Sequence, residues 1–118
     1  MRDIGLPYVG IYGACSTMAL SIINAATYVD AGLVQTTVAA AGSHFATAER
    51  QYRTPLEFGN QRPPTSQWTV TGAGATVLSS AKTSSIGVTC ATIGRVVDYG
   101  IKDVNNMGAC MAPAAADT

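Results

Sequence analysis

The stretch that decides the reading is Tyr8-Val9-Gly10-Ile11-Tyr12-Gly13-Ala14-Cys15-Ser16, followed by the uncharged run from Thr17 to Val29. Tyr8 to Tyr12 is rich in β-branched and aromatic residues and reads as a short strand. Gly13 ends it. Ser16 to Ala31 reads as a helix whose apolar residues (Met18, Leu20, Ile22, Ile23, Tyr28 and Val29 among them) point in nearly every direction, so the helix is expected to be covered on most sides. Gly32 stands where a glycine commonly follows a helix C-terminus. Leu33 to Ala41 is a second strand candidate. Strand, helix and strand with short links make a βαβ unit with a parallel strand pair, so the fold class is α/β.

Further along, Phe45 to Gln67 holds Glu49, Arg50, Arg53, Glu57, Arg62 and three prolines, and reads as a long surface excursion. Trp68 to Ser80 and Ile86 to Val97 read as strands. Lys82 to Ser85 reads as a turn, Asp98 to Gly108 as a polar loop, and the alanine-rich tail from Ala109 has no assigned structure.

Composition narrows the function classes. The chain has 118 residues, enough for one domain at most, and only 12% are charged. An ordinary soluble domain has roughly a quarter, so much of this surface is expected to be covered by further chain or by a partner. Net charge is zero and the five arginines and two lysines form no basic stripe, which argues against nucleic acid as a partner. No charge lies between Asp3 and Asp30, a length that raises the question of a membrane span. Gly5, Pro7, Gly10 and Gly13 interrupt that run, and a buried strand followed by a buried helix explains it. Cys15, Cys90 and Cys110 are odd in number and form no CxxC pair, so neither a disulfide scaffold nor a zinc site is supported and a reducing, intracellular compartment is expected. There is no P-loop, no GxGxxG after a strand and no HExxH; no cofactor and no metal is expected.

Cys15 is the leading candidate for chemistry. A cysteine at a helix start meets unpaired backbone N–H groups, the setting in which thiolate nucleophiles are found. The plain alternative is a small buried hydrophobe. His44, the single histidine, lies at the C-terminal end of a strand candidate, where open α/β sheets place ligands; the alternative is a surface loop histidine. Arg50, Arg53 and Arg62 could fork onto an anion or simply pair with Glu49 and Glu57. Asn105-Asn106-Met107-Gly108 offers amide groups that shape a pocket or make a turn. Cys90 sits in an apolar run and reads as core.

Taken together, Gly13-Ala14-Cys15-Ser16 resembles the nucleophile turn of thiolase-fold condensing enzymes, and Thr71-Gly72-Ala73-Gly74-Ala75 resembles their downstream glycine-rich strand. The likeness is closer to a sporulation branch of that fold in spore-forming bacteria. It is carried by Pro7 to Met18, Ser43-His44-Phe45, Thr47 to Gln51, Gln61 to Thr65, Gln67 to Gly72, Asn105 to Ala109 and Met111 to Asp117, nearly the whole chain. The resemblance implies a thiolase-like fold of two similar α/β halves. Residues 1–118 would be a partial domain from the middle of it: part of the N-terminal half and the start of the C-terminal half. It implies binding of dipicolinic acid and a part in its uptake into the developing spore, in the cell interior or peripheral at the spore inner membrane. Other spore-membrane proteins of the same operon would be partners, and a homodimer would form through an edge strand at Tyr8–Tyr12. Cys15 carries over as the pocket floor and as the equivalent of the nucleophile, with His44, Asn105 and Asn106 as lining. The catalytic residues that condensing enzymes draw from their C-terminal half are not in this chain, so it is expected not to be an enzyme by itself. Two other readings remain open: an acyl-transferring condensing enzyme acting through Cys15, and a scaffold in which Cys15 is a relic. The isolated chain is expected to fold poorly, for want of cover on the Ser16–Ala31 helix.

Overall fold

The computed structural model describes residues 2–46, 70–103 and 106–118. It is mixed α/β, with helix α1 (Thr17–Asp30), strands β1 (Thr36–Ser43) and β2 (Gly72–Ser79), and helix α2 (Met107–Asp117). Two compact units are present: Met1–Ala41 with Gly74–Val88, and Gly42–Ala73 with Thr89–Thr118.

In the first unit, α1 begins and ends close to the positions its sequence indicates. At its C-terminus Gly32 takes φ +70°, which L-residues with a Cβ rarely adopt. This lets Gly32 N–H reach the Val29 carbonyl and Leu33 N–H reach the Tyr28 carbonyl, so both orphan carbonyls are satisfied by a Schellman motif. The chain then turns directly into β1.

β1 alternates strictly. Thr37, Ala39, Ala41 and Ser43 face inward while Thr36, Val38, Ala40 and Gly42 are exposed. The inward face meets α1 at small residues. Ser21 and Ala25, one helical turn apart, are the buried positions of the helix, and Ala39 is 1% exposed. Two side-chain bridges lock the layer. Ser21 Oγ accepts from Ala40 N–H at 3.1 Å and lies 3.4 Å from the Ala40 carbonyl, while Thr37 Oγ1 donates to the Ala25 carbonyl at 3.3 Å. Helix numbers rise as strand numbers fall across these bridges, so α1 and β1 run in opposite directions. Alanine and serine permit this close approach because they place no large side chain between helix and sheet.

β1 pairs with β2 in a two-stranded sheet. Ser80 N–H donates to the Gln35 carbonyl, Thr36 Oγ1 reaches Ser79 Oγ, and Ser43 Oγ donates to the Val70 carbonyl. One number rises as the other falls, so the pair is antiparallel.

Several expectations are corrected here. Residues 8–12 form no strand, and the parallel βαβ pair does not exist among the described residues; Tyr8, Val9 and Tyr12 are exposed. Residues 86–97 form no strand either, and Ile86, Ile93 and Val96 stand 88%, 81% and 103% exposed. Both runs have strand-like composition. A strand, however, satisfies its backbone only through a neighbour, and neither run is paired into the sheet. Cys90 is exposed rather than core. The helix α1 is covered on the Ser21–Ala25 side rather than all round. The alanine-rich tail, by contrast, is helical. The expected excursion at 45–67 lies almost entirely outside the described residues.

In the second unit, α2 starts at Asn106, whose side chain accepts from Ala109 N–H at 3.2 Å as an N-cap. Pro113 sits inside the helix, and its end is tied down by Thr118 Oγ1 donating to the Ala114 carbonyl. Asp117 takes a two-pronged contact from Arg95, at 2.8 and 2.9 Å. The guanidinium holds the Asp117 carboxyl below its ordinary range, and the carboxylate raises Arg95 in return. Arg95 is open to water, so solvent screens the pair.

Candidate functional site

The turn that carries Cys15 is built by five consecutive residues. Ala14–Ser16 form one turn of 3-10 helix that runs straight into α1. Ala14 has φ +49°, the left-handed region, and is the non-glycine residue found there among the described residues. A residue with a Cβ pays roughly 1–2 kcal/mol for this conformation, so the surrounding bonds must hold it. They do so densely. Ser16 N–H and Ser16 Oγ both donate to the Gly13 carbonyl, at 2.9 and 2.7 Å. Thr17 Oγ1 donates to the Ala14 carbonyl at 2.7 Å and accepts from Gly13 N–H at 3.0 Å. Gly13 has little room for a side chain: a Cβ would stand 2.8 Å from Ser16 Oγ and 3.4 Å from Leu20 Cδ2. The result is an exposed, free thiol at the start of a 14-residue helix. In this chain Cys15 is thus exposed rather than buried in a core.

His44 and Asn106 belong to the second unit. His44 follows β1, as its sequence position indicates. Its Nδ1 accepts from Ala46 N–H at 3.2 Å and its ring stacks on Phe45, with centroids 5.9 Å apart and planes at 9°. Asn106 has a structural role, the α2 cap already described. Asn105 lies outside the described residues, as do Arg50, Arg53 and Arg62. The second unit also has a cavity of about 100 Å³ lined by Val97, Asp98, Tyr99, Ile101 and Cys110. None of the candidate residues lines it. Ligand pockets run from roughly 300 Å³ upward, so it is small for an organic ligand. Cys110, which the sequence leaves unassigned because it stands close to the chain end, is exposed. The described residues hold no group of three His, Cys, Asp or Glu suited to a metal ion, and no helix among them is long and apolar enough to cross a membrane.

The whole chain, residues 1–118, matches the family model described as Stage V sporulation protein AD. The chain belongs to the stage V sporulation protein AD family. A relative within it, Stage V sporulation protein AD of Bacillus subtilis (strain 168), is 48% identical over 117 residues. That alignment takes in 99% of this chain and 34% of the relative, so the chain spans about a third of the length of the relative it matches. The Cys15 turn and both units thus lie within the matched sequence of the stage V family.

Proposed function

We propose that this sporulation protein contributes the Cys15 turn as the floor of a small-ligand pocket within a thiolase-like fold, and that the ligand is dipicolinic acid on its way into the developing spore. The observation that carries the reading is the turn itself: an open thiol, a left-handed Ala14 and a helix start, in a chain of the stage V sporulation family. Dipicolinate is a flat pyridine flanked by two carboxylates. A helix N-terminus suits a carboxylate through the positive end of the helix dipole. Small residues at 13 and 14 keep the approach to the thiol clear. The exposed Tyr8–Tyr12 segment would become an edge strand once a second copy pairs with it. Other spore-membrane proteins would be partners, and the site of action would be the developing spore, peripheral to its inner membrane.

Titration calorimetry with millimolar dipicolinate tests this, on the chain and beside it on the Bacillus subtilis relative. Binding heat is expected in both and is expected to vanish in Cys15→Phe, which fills the floor; absence of heat in the full-length relative overturns the reading. The exposed thiol also favours a second reading, acyl transfer. There the Cys15 sulfur would attack an acyl-CoA carbonyl, forming a thioester on the protein and releasing coenzyme A as its thiol. Mass spectrometry after incubation with acetyl-CoA separates the two. The binding reading expects no added acetyl mass, whereas an adduct lost in Cys15→Ser would establish transfer.

A further inference from the structure

We propose that Thr17 is the positioning residue of the Cys15 turn, its hydroxyl holding Ala14 in the left-handed region and so fixing where the Cys15 thiol points. The inference rests on reading that turn as the ligand site. Thr17 bridges two backbone groups across the turn, accepting from Gly13 N–H and donating to the Ala14 carbonyl. Ser16 is the obvious rival, since its hydroxyl is equally close. But Ser16 Oγ bonds the Gly13 carbonyl, which Ser16 N–H already satisfies. Loss of the Ser16 hydroxyl leaves the turn closed. Loss of the Thr17 hydroxyl leaves the Ala14 carbonyl its bond from Thr17 N–H, but it takes from Gly13 N–H the acceptor it has here and removes the side chain that links Gly13 to Ala14. Ala14 is then free to relax toward the right-handed region, and Cys15 folds in toward the first turn of α1 instead of standing clear of it.

The test is iodoacetamide labelling of the whole chain, followed cysteine by cysteine by peptide mass spectrometry, for the native sequence and for Thr17→Val, Thr17→Ser and Ser16→Ala. Thr17→Val is expected to slow labelling of Cys15 by about fivefold, the size of effect one lost hydrogen bond carries. Thr17→Ser, which keeps the hydroxyl, is expected to stay within about twofold of native, and Ser16→Ala to behave like Thr17→Ser. Cys90 and Cys110 are exposed and remote in sequence, and are expected to keep their native rates throughout. The proposal is overturned if Thr17→Val labels Cys15 at the native rate, if Thr17→Ser is as slow as Thr17→Val, or if all three cysteines change together. Labelling reads the turn without any ligand. A silent dipicolinate titration beside a slowed Thr17→Val would therefore remove the ligand and leave the role of Thr17 standing.

Discussion

Ala39→Leu is expected to lower the melting temperature of the chain more than any other single change within β1. Ala39 is 1% exposed and sits at the centre of the inward face of the strand, on the side that meets Ser21 and Ala25. Close approach of α1 to β1 depends on side chains no larger than a methyl or hydroxymethyl group at these positions. A leucine adds three carbons where there is no space for them. Overpacking of this kind costs about 1–3 kcal/mol. Here it also lengthens the bridges from Ser21 to Ala40 and from Thr37 to Ala25. The layer has few buried residues in reserve, so a loss of this size is a large share of its stability. Thermal unfolding followed by far-UV circular dichroism checks it. Ala39→Gly is the companion, since it removes volume instead of adding it; a Leu variant that melts no lower than the Gly variant would contradict tight packing at this point.

Ser21→Ala is expected to be the second most damaging change, through polarity rather than volume. Ser21 is 8% exposed, and its hydroxyl accepts the Ala40 N–H from the edge of β1 that faces away from β2. Alanine fits the space but leaves that N–H without the acceptor. Loss of a partly buried hydrogen bond of this kind costs about 1 kcal/mol. Thr27→Ala makes the comparison. Thr27 Oγ1 donates to the Ile23 carbonyl on an exposed face of the same helix, where water replaces the lost hydroxyl. That change is expected to cost under about 0.5 kcal/mol. Amide hydrogen exchange adds a local readout: Ala40 N–H is expected to exchange faster in Ser21→Ala and at its native rate in Thr27→Ala. Equal melting temperatures for the two variants would show that the bridge to Ala40 contributes nothing.

Both variants act on the layer that carries the candidate site. The Cys15 turn is continuous with α1, and α1 is held in place through Ser21 and Ala25. Neither residue touches Cys15. A loss of ligand binding in Ser21→Ala would therefore report displacement of the helix, whereas Thr17→Val acts on the turn alone.

The contrast between α1 and α2 shows how local signals work. α1 announces itself by a long uncharged apolar run and the glycine at position 32. α2 had its signal too, in Asn106 as a cap followed by alanines, the strongest helix formers. That signal is easily passed over because Pro113 interrupts it, and because the asparagines equally suit a turn or a pocket. The candidate site divides in the same way. Cys15 at a helix start was legible from Gly13-Ala14-Cys15-Ser16 and the run behind it. The left-handed Ala14 was not, since alanine carries no signature of that conformation; it follows from the bonds of Ser16 and Thr17 to Gly13 and Ala14.

By itself, then, the sequence determined the extent of α1, its stop at Gly32, the placement of Cys15 at its start and membership of the stage V sporulation protein AD family. These depend on hydrogen bonds between residues at most a few positions apart, or on residue identity alone. Only the tertiary structure decided which strand-like runs became strands, that β1 and β2 lie antiparallel, and which side of α1 is buried. Residues 8–12 and 86–97 have the composition of strands, yet they are not paired into the sheet, while Gly72–Ser79, rich in glycine and alanine, is a strand because β1 lies beside it. A helix closes its backbone bonds within itself. A strand must take them from a distant stretch of chain, and the side chains of a single segment do not say which stretch that will be.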